Sequence, residues 1–320
     1  MSLGSSKPER TVATIGVFDG LHRGHLTLLR EVVEAARSAD AISAVVTFSP
    51  HPDSVLGSSP WAGDLTPLPI RLQLLTELGI DLTLVVRFSL AWSRLAPEAF
   101  LGELMGLELP GVQGLVIGYD FRFGKGRRGD ARLLRKLGEA RRFWVKQVPA
   151  VDDGGEPISS TRIRNLVSAG RVRDASRLLG RPYMVEGELK AGRGLGRRHL
   201  VPTCNVHVDP GWLLPADGVY AVAAEVEGQV LRGVGHLGWS PTTGSGGPNV
   251  VEVHLLEDPR QVDRLCGGGR FRIHFIERLR STKHFRTLGA LGREIQKDIQ
   301  RAEEVLGAMD LSVALEARKW

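Results

Sequence analysis

Cysteine is scarce: the 320-residue chain has two, Cys204 and Cys266. Two cysteines cannot build a disulfide framework or a four-ligand zinc site. A reducing cytoplasm is the expected compartment. Long apolar runs are missing as well. No window approaches the roughly 18 consecutive apolar residues of a membrane span. The opening residues MSLGSSKPER lack the apolar stretch of a signal peptide and read as a flexible lead. Neither sign of charge dominates. Lys plus Arg is 42 against 36 Asp plus Glu, a formal charge of +6. That excess suits a protein that binds phosphates and is too diffuse to indicate nucleic acid. Aromatics are only 6%, yet 42% hydrophobic and 24% charged residues is the balance of a folded chain. At roughly 150 residues per domain, two domains are expected.

The first half alternates β-rich runs with helical patterns. Strands are predicted over 11–17, 42–48, 82–88, 112–117 and 144–148. Helices are predicted over 25–39, 70–78, 97–107 and 131–143, from apolar spacing such as Leu26, Leu29, Val32, Val33 and Ala36. Such alternation implies a parallel sheet with helices on both faces, which binds ligands beyond the C-terminal strand ends. After Pro182 the character changes. Strand-like runs at 183–189, 205–208, 219–226, 230–234, 250–256 and 271–275 are separated by Gly and Pro. They suggest a small barrel or sandwich, followed by a helix over 288–306. The Gly-rich stretches 243–247 and 267–269 read as flexible loops.

The sharpest local signal is Gly16-Val-Phe-Asp-Gly-Leu-His-Arg-Gly-His25, between the first strand and the first helix. His22 and His25, three apart, share one helical face. A helix N-terminus is a ready anion site. Gly16, Gly20 and Gly24 allow a tight turn and close approach to a phosphate. Two imidazoles donating there would stabilise charge that builds up in phosphoryl transfer. In Ser159-Ser160-Thr161-Arg162-Ile163-Arg164, hydroxyls and guanidiniums gather at a helix start, and Arg presents a rigid fork of donors to phosphate oxygens. Lys125, Arg127 and Arg128 form a basic loop, solvated by default.

The segment Gly16–His25 resembles the phosphate-binding signature of the nucleotidylyltransferase superfamily. Three further segments narrow the resemblance: Thr47-Phe-Ser-Pro-His-Pro52, Gly118-Tyr-Asp-Phe-Arg-Phe-Gly124 with Gly129-Asp130, and Ile158–Arg164. In this order they resemble the prokaryotic bifunctional riboflavin kinase/FAD synthetase family, over about residues 11 to 302. The resemblance implies an α/β nucleotidylyltransferase domain with a Rossmann-like parallel sheet over 11–181. A six-stranded β-barrel riboflavin kinase domain with a C-terminal helix would follow over 182–308, with flexible ends at 1–10 and 309–320. It implies that Gly16, Phe18, Asp19, Gly20, Gly24, Ser159, Ser160 and Thr161 bind ATP phosphates. His22, His25, Arg162 and Arg164 would be catalytic there. His51, Asp120, Phe121 and Phe123 would contact flavin.

The second part of the resemblance runs through Leu178–Tyr183, Pro202-Thr-Cys-Asn205, Leu214–Tyr220 and Val251-Glu-Val-His-Leu-Leu256. By resemblance Thr203 and Asn205 hold Mg²⁺ and ATP phosphate; oxygen ligands suit that ion. Glu252 would be the general base for the riboflavin 5′-hydroxyl. Departures cluster in this half. Leu200-Val201 stands for Gly-Phe, Cys204 for alanine and His236 for asparagine. Thr243 stands for a phenylalanine-like residue and Thr282 for an acid. These departures leave two alternatives open: an FAD synthetase with weak or lost kinase activity, and a non-catalytic flavin-binding paralogue. The expected partners are riboflavin, FMN, FAD and ATP, with neither nucleic acid nor membrane.

Overall fold

The computed structural model describes residues 10–57, 61–106, 109, 111–190, 203–238, 249–257, 269–311 and 315. Expectations for Leu200, Val201, Thr243, Cys266, the stretch 243–247, most of 267–269 and the outermost ends lie outside the described residues. Contacts divide the chain into two units, one ending at Ser159 and one beginning at Ser160.

The first unit runs β1 (Thr11–Ile15), α1 (Arg23–Ser38), β2 (Ile42–Ser49), α2 (Pro52–Leu56), α3 (Leu68–Glu77), β3 (Leu82–Arg87), α4 (Leu90–Ser93), α5 (Pro97–Met105), β4 (Val112–Ile117), α6 (Ala131–Arg141), β5 (Trp144–Gln147) and a small hairpin of β6 (Asp152–Asp153) and β7 (Glu156–Pro157). The main sheet has the order β3-β2-β1-β4-β5, and every pairing in it is parallel. Alternate strand residues face opposite sides. Ala13, Ile15, Ala44, Val46, Leu115 and Ile117 pack with α5 and α6 residues such as Leu101 and Leu134. Val12, Val45 and Val116 pack with Leu28, Leu29, Val32, Leu74 and Leu75 of α1 and α3. Both faces are therefore covered, as the β-branched runs require. Strand order reverses between β1 and β4, which opens a crevice at their C-terminal ends.

The second unit runs α7 (Ser160–Ser168), α8 (Val172–Leu179), β8 (Tyr183–Lys190), β9 (Cys204–Val208), β10 (Gly218–Val226), β11 (Gln229–Leu237), β12 (Val250–Leu255), β13 (Arg270–Arg280) and α9 (Leu288–Gly307). The six strands close a barrel, ordered β10-β11-β12-β9-β8-β13. Odd positions of β12, Val251, Val253 and Leu255, are buried, whereas Glu252 and His254 are only half-buried. α9 lays Ala302 and Leu306 on Val219, Ala221, Ile276 and Leu279. Arg280 makes a bidentate pair with Asp298 of α9 (2.9 and 2.7 Å). β13 extends five residues past the expected 271–275. Register shifts against β10 break the period-two pattern there and hid the extension from a sequence reading. Among the described residues no helix is long and apolar enough to cross a membrane.

Candidate functional site

The turn after β1 enters the crevice through strained backbone. Phe18 (φ 55°), Gly20 (φ 82°) and Leu21 (φ 42°) all lie in the left-handed region. For Phe18 and Leu21 that costs about 1–2 kcal/mol each, so surrounding contacts must hold the turn. Val17 O accepts from Thr47 Oγ1 (3.0 Å) and from Arg71 Nη1. The Asp19 carboxylate, 1% exposed, accepts from the Leu65 N–H (3.0 Å) and the Thr66 N–H (2.9 Å) on separate oxygens. Asp19, expected at phosphate, thus fastens Leu65 and Thr66 to the turn.

His22 is the N-cap of α1: its Nδ1 accepts from the His25 N–H at 3.3 Å. An accepting Nδ1 places the ring proton on Nε2, so His22 offers a donor without carrying charge. The His22 and His25 rings stack at 3.6 Å, and Phe18 meets His25 edge-on at 5.2 Å. A Cβ on Gly24 would lie 3.2 Å from the His22 ring, and one on Gly16 3.0 Å from Phe18. These two glycines make room for the neighbouring rings. Arg23 approaches Asp153 of the β6–β7 hairpin at 3.6 Å, and the Ile158 carbonyl passes beside Gly24. The chain leading to Ser159 therefore runs along the start of α1. Ser160, Thr161, Arg162 and Arg164 then open α7 in the second unit.

Of the expected flavin residues, His51 is buried, caps α2 by accepting from the Asp53 N–H (3.1 Å), and stacks on Trp61 at 4.3 Å. Trp61 Nε1 donates to Asp64 (2.9 Å), and Asp64 faces Arg71 at 3.7 Å. Phe123 is a core residue, packed against Phe100 at 5.9 Å and Phe121 at 5.5 Å. A Cβ on Gly129 would run into its ring at 2.6 Å. Phe121 is half-buried and Asp120 exposed, both just past the end of β4. Burial, and after it the charge of Asp120, pushes the Tyr119 phenol up. Asp130 caps α6, where the Leu133 N–H holds its carboxyl below its ordinary value. The basic loop residues Lys125, Arg127 and Arg128 are exposed.

Sequence reading missed Trp61 and Arg71. Trp61 follows Ser-Ser-Pro and has no periodic pattern to mark it. Arg71 did leave a trace: it occupies a core position of the stripe Arg71, Leu74, Leu75, Leu78, where a cation needs a reason.

In the barrel, Asn205, Glu252 and His236 are cross-strand partners in one row over β9, β12 and β11. His236, standing where the resemblance expects asparagine, puts Nδ1 3.6 Å from Glu252 Oε2. Among the described residues, Asn205 Oδ1 is buried without a hydrogen-bond partner. An orphaned acceptor of that kind fits a cation or donor arriving with substrate. Thr203, beside it, is exposed. Cys204 points inward and carries no free thiol. Among the described residues, Thr282 Oγ1 is buried without a partner, just after Arg280.

Comparison with known proteins agrees with both halves. A family model described as FAD synthetase matches residues 4–162, and one described as riboflavin kinase matches 179–306. A bifunctional riboflavin kinase/FMN adenylyltransferase of Bacillus subtilis is 34% identical over 92% of each chain. That of Escherichia coli is 34% identical over 96% of each. The crystal structure of a macrolide-efflux protein from Streptococcus pneumoniae superposes with a TM-score of 0.79, at 26% identity over 92% of this chain and 94% of that one. Both family models in order along one chain, with relatives this similar over nearly full length, show that the chain belongs to the bifunctional riboflavin kinase/FMN adenylyltransferase family.

Proposed function

We propose that this chain makes FAD from riboflavin in two steps, each using one ATP. In the barrel unit the riboflavin 5′-oxygen attacks the γ-phosphorus of ATP, its proton passes to Glu252, and ADP leaves with FMN formed. In the sheet unit an FMN phosphate oxygen attacks the α-phosphorus of a second ATP. The bond from that phosphorus to the bridging oxygen breaks, giving FAD and pyrophosphate. Neither step needs covalent help from protein; positioning and charge stabilisation lower the barrier.

The observation that carries the reading is the stacked His22–His25 pair at the N-terminus of α1, beside the crevice beyond β1 and β4. His22 Nε2, the His25 imidazole and the α1 N-terminus would donate to the ATP phosphates. Gly16, Gly20 and Gly24 keep the backbone close, while Phe18 and Asp19 hold the turn. The family resemblance supports a role at ATP phosphates for Ser159, Ser160, Thr161, Arg162 and Arg164. For that reason 11–181 and 182–308 are proposed as the functional modules. His51, Asp120 and Phe121 are proposed at the flavin, with Phe123 supporting Phe121 from the core. Mg²⁺ accompanying ATP would be held by Asn205 and Thr203, where it neutralises phosphate charge. Dependence on ATP and flavin supports a cytoplasmic location.

Two variants of the full chain test the assignment. Product chromatography after incubation with riboflavin, ATP and Mg²⁺, and separately with FMN, reads each step alone. His25→Ala lowers FAD formation about 10²-fold, the size of one lost transition-state donor. Glu252→Ala removes FMN formation and spares FAD formation from FMN. Unchanged FAD synthesis in the first variant removes His25 from the mechanism, and a joint loss in the second refutes the two-site reading.

A further inference from the structure

The row of polar side chains on the barrel wall has more in it than a ligand and a base. We infer that His236 is a positioning residue for the kinase step, holding one oxygen of Glu252 so that the other faces the riboflavin hydroxyl. The inference rests on the reading of Glu252 as the general base.

The geometry begins with register. His236 on β11 pairs with Glu252 on β12, and Glu252 pairs with Asn205 on β9. Directly opposed residues on neighbouring strands carry their side chains on the same face, with Cβ atoms about 5 Å apart. Gly235 and Leu237 on β11, and Val251 and Val253 on β12, occupy the buried positions. Asn205, Glu252 and His236 therefore share the outer wall. A polar outer residue of a small barrel is ordinarily wet, yet the His236 and Glu252 side chains are only 20% and 15% exposed. Their heads lie 3.6 Å apart, between Nδ1 and Oε2. That is inside ion-pair range and a small torsional adjustment from a hydrogen bond. Among the described residues, no other ion-pair partner of Glu252 is present.

The chemistry follows from side-chain freedom. A glutamate on a strand has three rotatable bonds, and a general base must hold one oxygen within hydrogen-bond reach of the proton it takes. Fixing that carboxylate before substrate arrives removes an entropic cost from the transition state. An imidazole is suited to this, being rigid with only two torsions. Its Nδ1 faces Oε2, which leaves Oε1 to accept the 5′-hydroxyl proton as the oxygen–phosphorus bond forms and ADP departs. Since Nδ1 must be the donor, the matching amide is that of asparagine, whose nitrogen sits the same number of bonds from the backbone. Glutamine carries its nitrogen one bond further, in the place of Nε2.

The experiment compares His236→Asn, His236→Gln and His236→Ala in the full chain. It reads kcat and riboflavin KM for FMN formation, with FAD formation from supplied FMN as an internal control. The expected result is a loss of about tenfold in kcat for the alanine and glutamine variants, at riboflavin KM within about twofold. Asparagine restores kcat to within about threefold of the parent. A purely structural role would lower kcat and raise KM together, and would not separate asparagine from glutamine. Unchanged kcat in His236→Ala overturns the inference, as does asparagine failing like alanine. Glu252→Gln separates the layers. If it is inactive while His236→Ala is silent, the positioning claim alone fails. If it forms FMN normally, the assignment of the base itself fails and takes the inference with it.

Discussion

Asp19→Asn tests whether the buried carboxylate under the phosphate turn acts through structure or through ligand. The side chain is 1% exposed and its two oxygens accept N–H bonds of 3.0 and 2.9 Å from Leu65 and Thr66. Asparagine has the same shape, but one oxygen becomes an NH₂ group. Whichever way the amide turns, one backbone N–H then faces a donor. One charge-assisted bond, worth about 1.5–3 kcal/mol, is lost and the stranded N–H adds its own desolvation cost. The surviving bond drops to neutral strength. The sum is about 3 kcal/mol, or roughly 10 °C in melting temperature for a unit of this size. Urea and thermal unfolding followed by circular dichroism read that loss. FAD formation falls as well, because the turn carrying Phe18 and Leu21 at positive φ loses one of its fasteners. FMN formation, a property of the other unit, stays. An unchanged unfolding midpoint together with a raised KM for ATP would refute the reasoning and return Asp19 to the phosphates.

Three further outcomes follow from the same geometry. Gly24→Ala adds a Cβ 3.2 Å from the His22 ring; helix propensity offsets the crowding, so stability moves by less than about 1 kcal/mol while FAD formation drops, which steady-state kinetics would show. Asp298→Asn strips the buried partner from Arg280 and leaves Glu294 at 3.8 Å as a weak substitute, so the barrel loses about 2–3 kcal/mol in urea unfolding; a loss below measurement would mean that Glu294 takes over. For Glu186, burial raises the carboxyl pKa, but hydrogen bonds and charge from Arg272 and Arg270 outweigh it, and the net value is lowered. A lowered folded-state value gives stability that is present above the ordinary carboxylate range and lost as pH falls through the folded value. The barrel should therefore melt progressively lower below about pH 4.5, and Glu186→Gln should flatten that dependence.

The order of strands and helices in the first unit was legible because its strands are covered on both faces. Runs such as Ile42–Ser49 are nearly all buried, and α1 repeats its apolar residues at helical spacing. The strand-to-helix turn was also legible locally, from its Gly and His residues, and His22 is indeed the N-cap of α1. The barrel strands were legible from alternation except where register shifts spoil it, as in the second half of β13.

What the chain alone could not show is how these pieces are held. Asp19 looks like a phosphate ligand in a motif; only its burial against Leu65 and Thr66, 46 and 47 residues away, makes it a fastener. Arg71 and Trp61 join the site through contacts that no local pattern encodes. Phe123 reads as a flavin aromatic until Phe100 is seen beside it. The His236–Glu252 pair exists because strand register brings two distant residues face to face. Local sequence sets backbone preference and amphipathic period, which act over a few residues. Partnership between side chains is a property of the closed sheet and barrel, and is settled only when distant segments meet.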